Sequence, residues 1–94
     1  MRIVQTKSFK QQLRAIALRI RSDKPSAAVR FVTLLQKQIA TLPDSPYRYR
    51  QSIYFEDKNM RDMVFKGYTI VYEIQPEHII VHMIFNRNLP PKMS

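Results

Sequence analysis

In a chain of 94 residues there is one glycine, Gly67, and it stands inside the segment MRDMVFKGYTIVYEI, residues 60–74. Runs of strand-forming residues flank it, and the tight turn between them needs a residue tolerant of positive φ, which glycine supplies at least cost. The segment reads as a β-hairpin, Met60 to Phe65 and Tyr68 to Ile74, turning at Lys66-Gly67. A lone glycine makes no phosphate-binding loop, so its role is in the fold.

The hairpin sets the reading of what surrounds it. Gln75-Pro76-Glu77 turns into a further strand, His78 to Phe85, and Glu56 to Asn59 is a polar turn before Met60. Arg48 to Phe55 also carries strand chemistry, after the proline-punctuated link PDSPYRYR, and Leu89, Pro90 and Pro91 end the sheet, with the last few residues expected to fray. Upstream, Phe9, Leu13, Ile16, Ala17 and Ile20 fall at helical spacing from Lys7 to Arg21, with a basic outside, and Thr6 or Ser8 is placed to cap them. Pro25 suits the first turn of a second helix, whose stripe of Ala28, Phe31, Val32, Leu35, Ile39 and Leu42 stops at Pro43. So short a connector implies an antiparallel helical hairpin packed on the sheet. Arg2 to Gln5 is a strand only if it joins that sheet. The expectation is one α+β domain over residues 1–94, β-α-α-β-β-β, with a small antiparallel sheet packed against the helical hairpin and its other face partly open.

Composition narrows the function. The chain has no cysteine, which excludes disulfides and thiolate metal sites and leaves His78 and His82 as the only imidazoles. No stretch resembles a signal peptide or a membrane span, so a cytoplasmic location without membrane contact is expected, and nothing calls for a metal or other cofactor. Sixteen Lys and Arg against seven Asp and Glu leave +9, which points to an acidic partner: nucleic acid, an acidic protein or an anionic membrane surface.

On the last strand, strict alternation places Ile79, Val81, Met83 and Phe85 on one face and Ile80, His82, Ile84 and Asn86 on the other. Both are largely apolar, as in a strand covered on one side and partly on the other. His82 on such a strand reads as a hydrogen-bonded structural residue, with target contact as its functional alternative. Glu56 and Asp57 read as turn chemistry, and Ser52 lacks a nucleophile elbow. The better functional candidates interleave arginine with tyrosine, around Arg48, Arg50, Lys58, Lys66, Tyr68 and Tyr72. Guanidinium clamps phosphate and phenol stacks on bases, so the set suits a nucleic acid or another anionic target. Arg61 and Asp62 point to opposite faces of a strand and need not pair.

The order of elements, together with SAAVRFVTLLQKQIATLPDSPYRYRQSIYF and NMRDMVFKGYTIVYEI, resembles the RelE/ParE superfamily, the toxins of type II toxin-antitoxin pairs. The resemblance spans nearly the whole chain: Ala27-Ala28 opening the second helix, Leu42-Pro43 closing it, a strand with Arg61-Asp62, Tyr68-x-x-Val71-Tyr72, and an apolar last strand ending in polar and basic residues. It implies a growth-inhibiting toxin silenced by a cognate antitoxin, often acidic and encoded nearby. RelE-like members cleave messenger RNA in the ribosome, and ParE-like members poison DNA gyrase.

Transferred residue by residue, the RelE-like nuclease set is incomplete. The arginine that commonly follows the tyrosine of the third strand is Thr69 here, and no C-terminal tyrosine follows Arg87. Arg61 and Arg87 would carry catalysis in that branch, with Lys58 and Lys66 beside Arg61. The His-x-Arg-Arg-like ending of ParE-like strands is matched poorly by Phe85-Asn86-Arg87-Asn88. The reading favours a ParE-like gyrase inhibitor. The alternatives are a RelE-like ribosome-dependent mRNA interferase and, from another class, a non-toxic basic module that binds nucleic acid.

Overall fold

The computed structural model describes residues 1–92; the expected fraying of the last few residues falls in part outside them. Strand β1 (Arg2–Gln5) leads into helix α1 (Lys7–Asp23), helix α2 (Pro25–Ala40) and a 3-10 turn (Leu42–Asp44), then strands β2 (Met60–Phe65), β3 (Tyr68–Ile74) and β4 (His78–Asn86). The sheet order is β1-β4-β3-β2. It is antiparallel from β2 to β4, and mixed overall because β1 enters parallel to β4, Ile3 opposite Ile79. The crossover through two helices makes that parallel entry possible, since a hairpin cannot connect parallel strands.

Thr6, not Ser8, caps α1: its hydroxyl accepts from the Phe9 amide at 3.0 Å. Lys24 alone links the helices, extended at φ −153°, with Pro25 at the start of α2. The chain doubles back, so that Arg21 and Ala28 line one groove and Lys10, Ile39 and Ala40 another. Phe9, Leu13, Ile16, Phe31, Leu35 and Ile39 then meet Met63, Ile70, Tyr72, Ile79, Val81 and Ile84 in the main core. Phe31 docks edge-on against both Phe65 and Tyr68, pinning α2 to the tip of the hairpin. At that tip Lys66 and Gly67 both have positive φ, 49° and 83°, as a type I′ turn requires.

Two expectations are corrected. Arg48 to Phe55 is not a strand; it touches the edge of β2 through a single bridge, Gln51 to Arg61, and then crosses the outer face of the sheet. Its Tyr54 and Phe55 cover Met60, Val71 and Phe85 in a second small core, so that the outer face, expected to be partly open, is covered in part. The alternation on β4 also fails. Val71 faces Met83 while Tyr72 faces Val81, so His82 is a bulge residue with no partner across the strand. The extra residue resets the phase: Ile79, Val81 and Ile84 face the helices, and Met83 and Phe85 face outward. Helix α1 satisfies the backbone groups the bulge disturbs. The Thr6 hydroxyl donates to the His82 carbonyl at 2.9 Å, and the Gln12 amide oxygen accepts from the Ile84 N-H at 2.9 Å.

Candidate functional site

The sequence-derived candidates separate into three places. Arg48, Arg50, Lys58, Arg61 and Tyr72 gather where β2 begins and β3 ends. Lys66, Tyr68 and Arg87 lie at the hairpin tip, where the Arg87 amide donates to the Gly67 carbonyl at 2.9 Å. His82 stands apart on the outer face, its Nε2 2.8 Å from a Glu73 carboxylate oxygen.

The first group is built on Tyr72. Its ring is completely buried, and its hydroxyl donates to the Pro46 carbonyl at 2.6 Å. Burial pushes the phenol up to about 12, against the opposing pull of Arg61 and Arg48. A residue so enclosed has no surface to offer a target, so Tyr72 acts as a post for the segment above it. Its position two residues from both Ile70 and Ile74 was the signal that it faces the core.

On that post the chain from Pro46 to Arg50 is laid down by side-chain bonds. Tyr49 packs edge-on against Tyr72 and accepts from Gln38 of α2 at 2.6 Å. Arg61 donates to the carbonyls of Lys58 and Tyr49 at 2.9 and 3.1 Å, with its guanidinium 4.8 Å from the centre of the Tyr47 ring. Arg48 lies 4.9 Å over the Tyr49 ring and donates to the Thr41 hydroxyl at 2.8 Å. Arg50 reaches an oxygen of Asp62 at 3.5 Å. Asp62 is only 2% exposed, and the same oxygen accepts from the Ile53 amide at 3.1 Å. Sequence reasoning missed this anchor, although aspartate inside a strand was itself a signal, being depleted there.

Arg61 and Arg87 do not converge. Arg61 faces Tyr72, whereas Arg87 follows Asn86, which faces Tyr68. The two points on β3 are four residues apart, about 13 Å. The Arg61 guanidinium is directed further from Arg87, onto carbonyls that lie before β2.

A second surface was not anticipated. Between the two helices, on the side away from the sheet, Ala17, Leu18, Ala28, Val29 and Val32 line a groove edged by Arg14 and Arg21. Leu18 and Val29 are 52% and 69% exposed. Both lie off the stripes that face the core, which was their signal. The charge is concentrated in the part of the chain that supplies both helices: residues 1–40 hold nine of the sixteen cations and one of the seven acidic residues, +8 of the net +9. Among the described residues no helix is long and apolar enough to cross a membrane.

Comparison with known proteins agrees with this architecture. The family model described as ParE toxin of type II toxin-antitoxin system, parDE, matches residues 3–88. Among solved structures, one from a chromosomal ParDE toxin-antitoxin system of P. aeruginosa superposes with a TM-score of 0.76 at 16% identity, covering 92% of this chain and 95% of the other. A conserved hypothetical protein from Helicobacter pylori, solved in solution, gives 0.55 at 16% identity, with 94% and 96% covered. At that identity both are likenesses of fold. No curated protein matches significantly.

Proposed function

This chain belongs to the ParE toxin family of type II toxin-antitoxin systems, and on that premise we propose that it arrests growth by binding DNA gyrase in the cytoplasm, without cleaving RNA. The observation that carries the choice of target is the separation of Arg61 from Arg87. A ribonuclease of the RelE type needs its cations around one phosphodiester, to activate the ribose hydroxyl and stabilise the phosphorane. Here one guanidinium is tied to the Tyr49 and Lys58 carbonyls and the other stands at the far end of β3. In this reading Arg48, Arg50, Lys58 and Arg61 form one target-facing patch and Lys66, Tyr68 and Arg87 a second. His82 supports the outer face between them.

The antitoxin partner is a ParD-type protein, and its neutralising segment is an acidic, amphipathic one seated on the helical hairpin. The groove supplies apolar contact through Leu18 and Val29, and Arg14 and Arg21 at its edge supply charge.

Induction of the chain alone in a bacterial host, with message mapped for new 5′ ends and gyrase supercoiling assayed on the purified protein, tests the target. Inhibited supercoiling with intact message is expected. New ends inside translated codons, with supercoiling unaffected, would return the chain to the RNA-cleaving branch.

A further inference from the structure

We infer that the end of the sheet carrying Tyr47, Arg48, Arg50 and Arg61 grips the sugar-phosphate backbone of duplex DNA. The inference rests on the gyrase reading for where that DNA is met, namely in the complex of gyrase with its substrate.

Arg61 is fixed by two backbone carbonyls and the Tyr47 ring, and Arg48 by a hydroxyl and the Tyr49 ring. All of these partners are neutral. Among the described residues neither arginine has a carboxylate within ion-pair distance; the one carboxylate in the group, Asp62, is shared only with Arg50 at 3.5 Å. The side chains are therefore ordered while their charge stays uncompensated.

A guanidinium has five N-H donors. Arg61 spends its Nε and one Nη, so its remaining edge is free to meet an anion. Much of the rotamer entropy that an arginine loses on binding has been lost already in the fold. Planar donor forks of this kind match phosphate oxygens, two bonds at a time.

The surroundings favour a nucleic acid over an acidic peptide. A peptide segment draws on apolar burial as well as charge, and the helical groove offers both. From Tyr47 to Arg50 the one exposed large apolar side chain is Tyr47 itself, 55% exposed and held by a 3.0 Å bond from its hydroxyl to Asn59, and the next along the chain is Ile53, 65% exposed. Backbone contacts to DNA are polar and need no apolar floor, and an exposed tyrosine beside arginines suits contact with sugar and phosphate.

The test is fluorescence anisotropy of a labelled duplex oligonucleotide with the purified protein, read from 50 to 200 mM salt. The variants are Arg48→Gln and, as a control that removes equal charge from an exposed helix position, Arg19→Gln. Wild type is expected to bind with affinity falling steeply as salt rises. Arg48→Gln should weaken binding roughly three- to tenfold and lower the salt slope by about one, whereas Arg19→Gln should change the slope less. Equal losses in the two variants would mean diffuse attraction by net charge and would overturn the assignment. So would weakened antitoxin binding by Arg48→Gln with DNA binding intact, which would give the surface to an acidic protein. Inhibition of gyrase by a wild-type protein that binds no DNA would sink this inference and leave the gyrase reading in place. DNA binding through Arg48 with gyrase untouched would do the reverse. Circular dichroism of each variant excludes loss of fold as the cause.

Discussion

The buried phenol of Tyr72 donates a 2.6 Å hydrogen bond to the carbonyl of Pro46, joining the third strand to the segment that carries Tyr47, Arg48 and Arg50. Tyr72→Phe keeps the ring and strands that carbonyl without its partner, so it should cost about 1 to 2 kcal/mol in denaturant unfolding. The bond also has a pH signature. The folded phenol titrates at about 12 against 10 for the free side chain, so between these values the native state holds the proton more tightly. Stability from this group is fully present below pH 10 and is lost as pH rises toward 12. Alkaline unfolding followed by circular dichroism should show a loss in that window that Tyr72→Phe reduces.

Lys66 occupies the left-handed region at φ 49°, where an L side chain is strained and asparagine is favoured before glycine. Lys66→Asn should raise stability by up to about 1 kcal/mol in the same unfolding assay. Growth arrest measured on the same variant separates the roles of the residue: a protein that is stabler and less toxic assigns Lys66 to the target surface.

Thr6 both caps α1 and holds the His82 carbonyl at the bulge. Thr6→Ala should destabilise by about 1 to 2 kcal/mol, and Thr6→Ser, which retains the hydroxyl, by much less. If the two variants melt together, the methyl group and not the two hydrogen bonds is what matters.

Leu18→Glu alters an exposed helix position and should shift stability by no more than about 0.5 kcal/mol. It places a carboxylate where an acidic antitoxin segment is proposed to lie, so binding measured by calorimetry should weaken at least about tenfold through desolvation and like-charge repulsion. Growth arrest should then persist when the antitoxin is coexpressed. Full rescue would move the antitoxin to another surface.

The helices and the hairpin were legible because each is announced by spacing or by a residue of unusual conformational freedom: Phe31, Leu35 and Ile39 at helical intervals, Gly67 in a two-residue turn. The Arg48 to Phe55 segment misled because Tyr, Ile and Phe favour strands through packing as much as through backbone preference. Here Tyr49 and Tyr54 find their packing from an irregular chain. The phase of β4 was hidden for a related reason: both of its faces are apolar, so shifting one residue changes nothing in the pattern. Only Thr6 and Gln12, far away in sequence, reveal where the bulge sits. The candidate site was legible in its residue types and not in its grouping. Sequence could name Arg61 and Arg87 together, but their separation follows from strand register alone.

The uneven distribution of charge makes the molecule an electric dipole, with +8 on residues 1–40 and +1 on the remainder. In the field of an acidic partner such a body would turn as it diffuses and arrive helices first, so that the encounters of an acidic antitoxin would begin already oriented. An acidic chain laid over the helices would then quench nearly all of the long-range field, because the half left in view is almost neutral. Neutralisation would thereby act at a distance as well as by cover: the captured toxin would no longer attract polyanions from beyond contact.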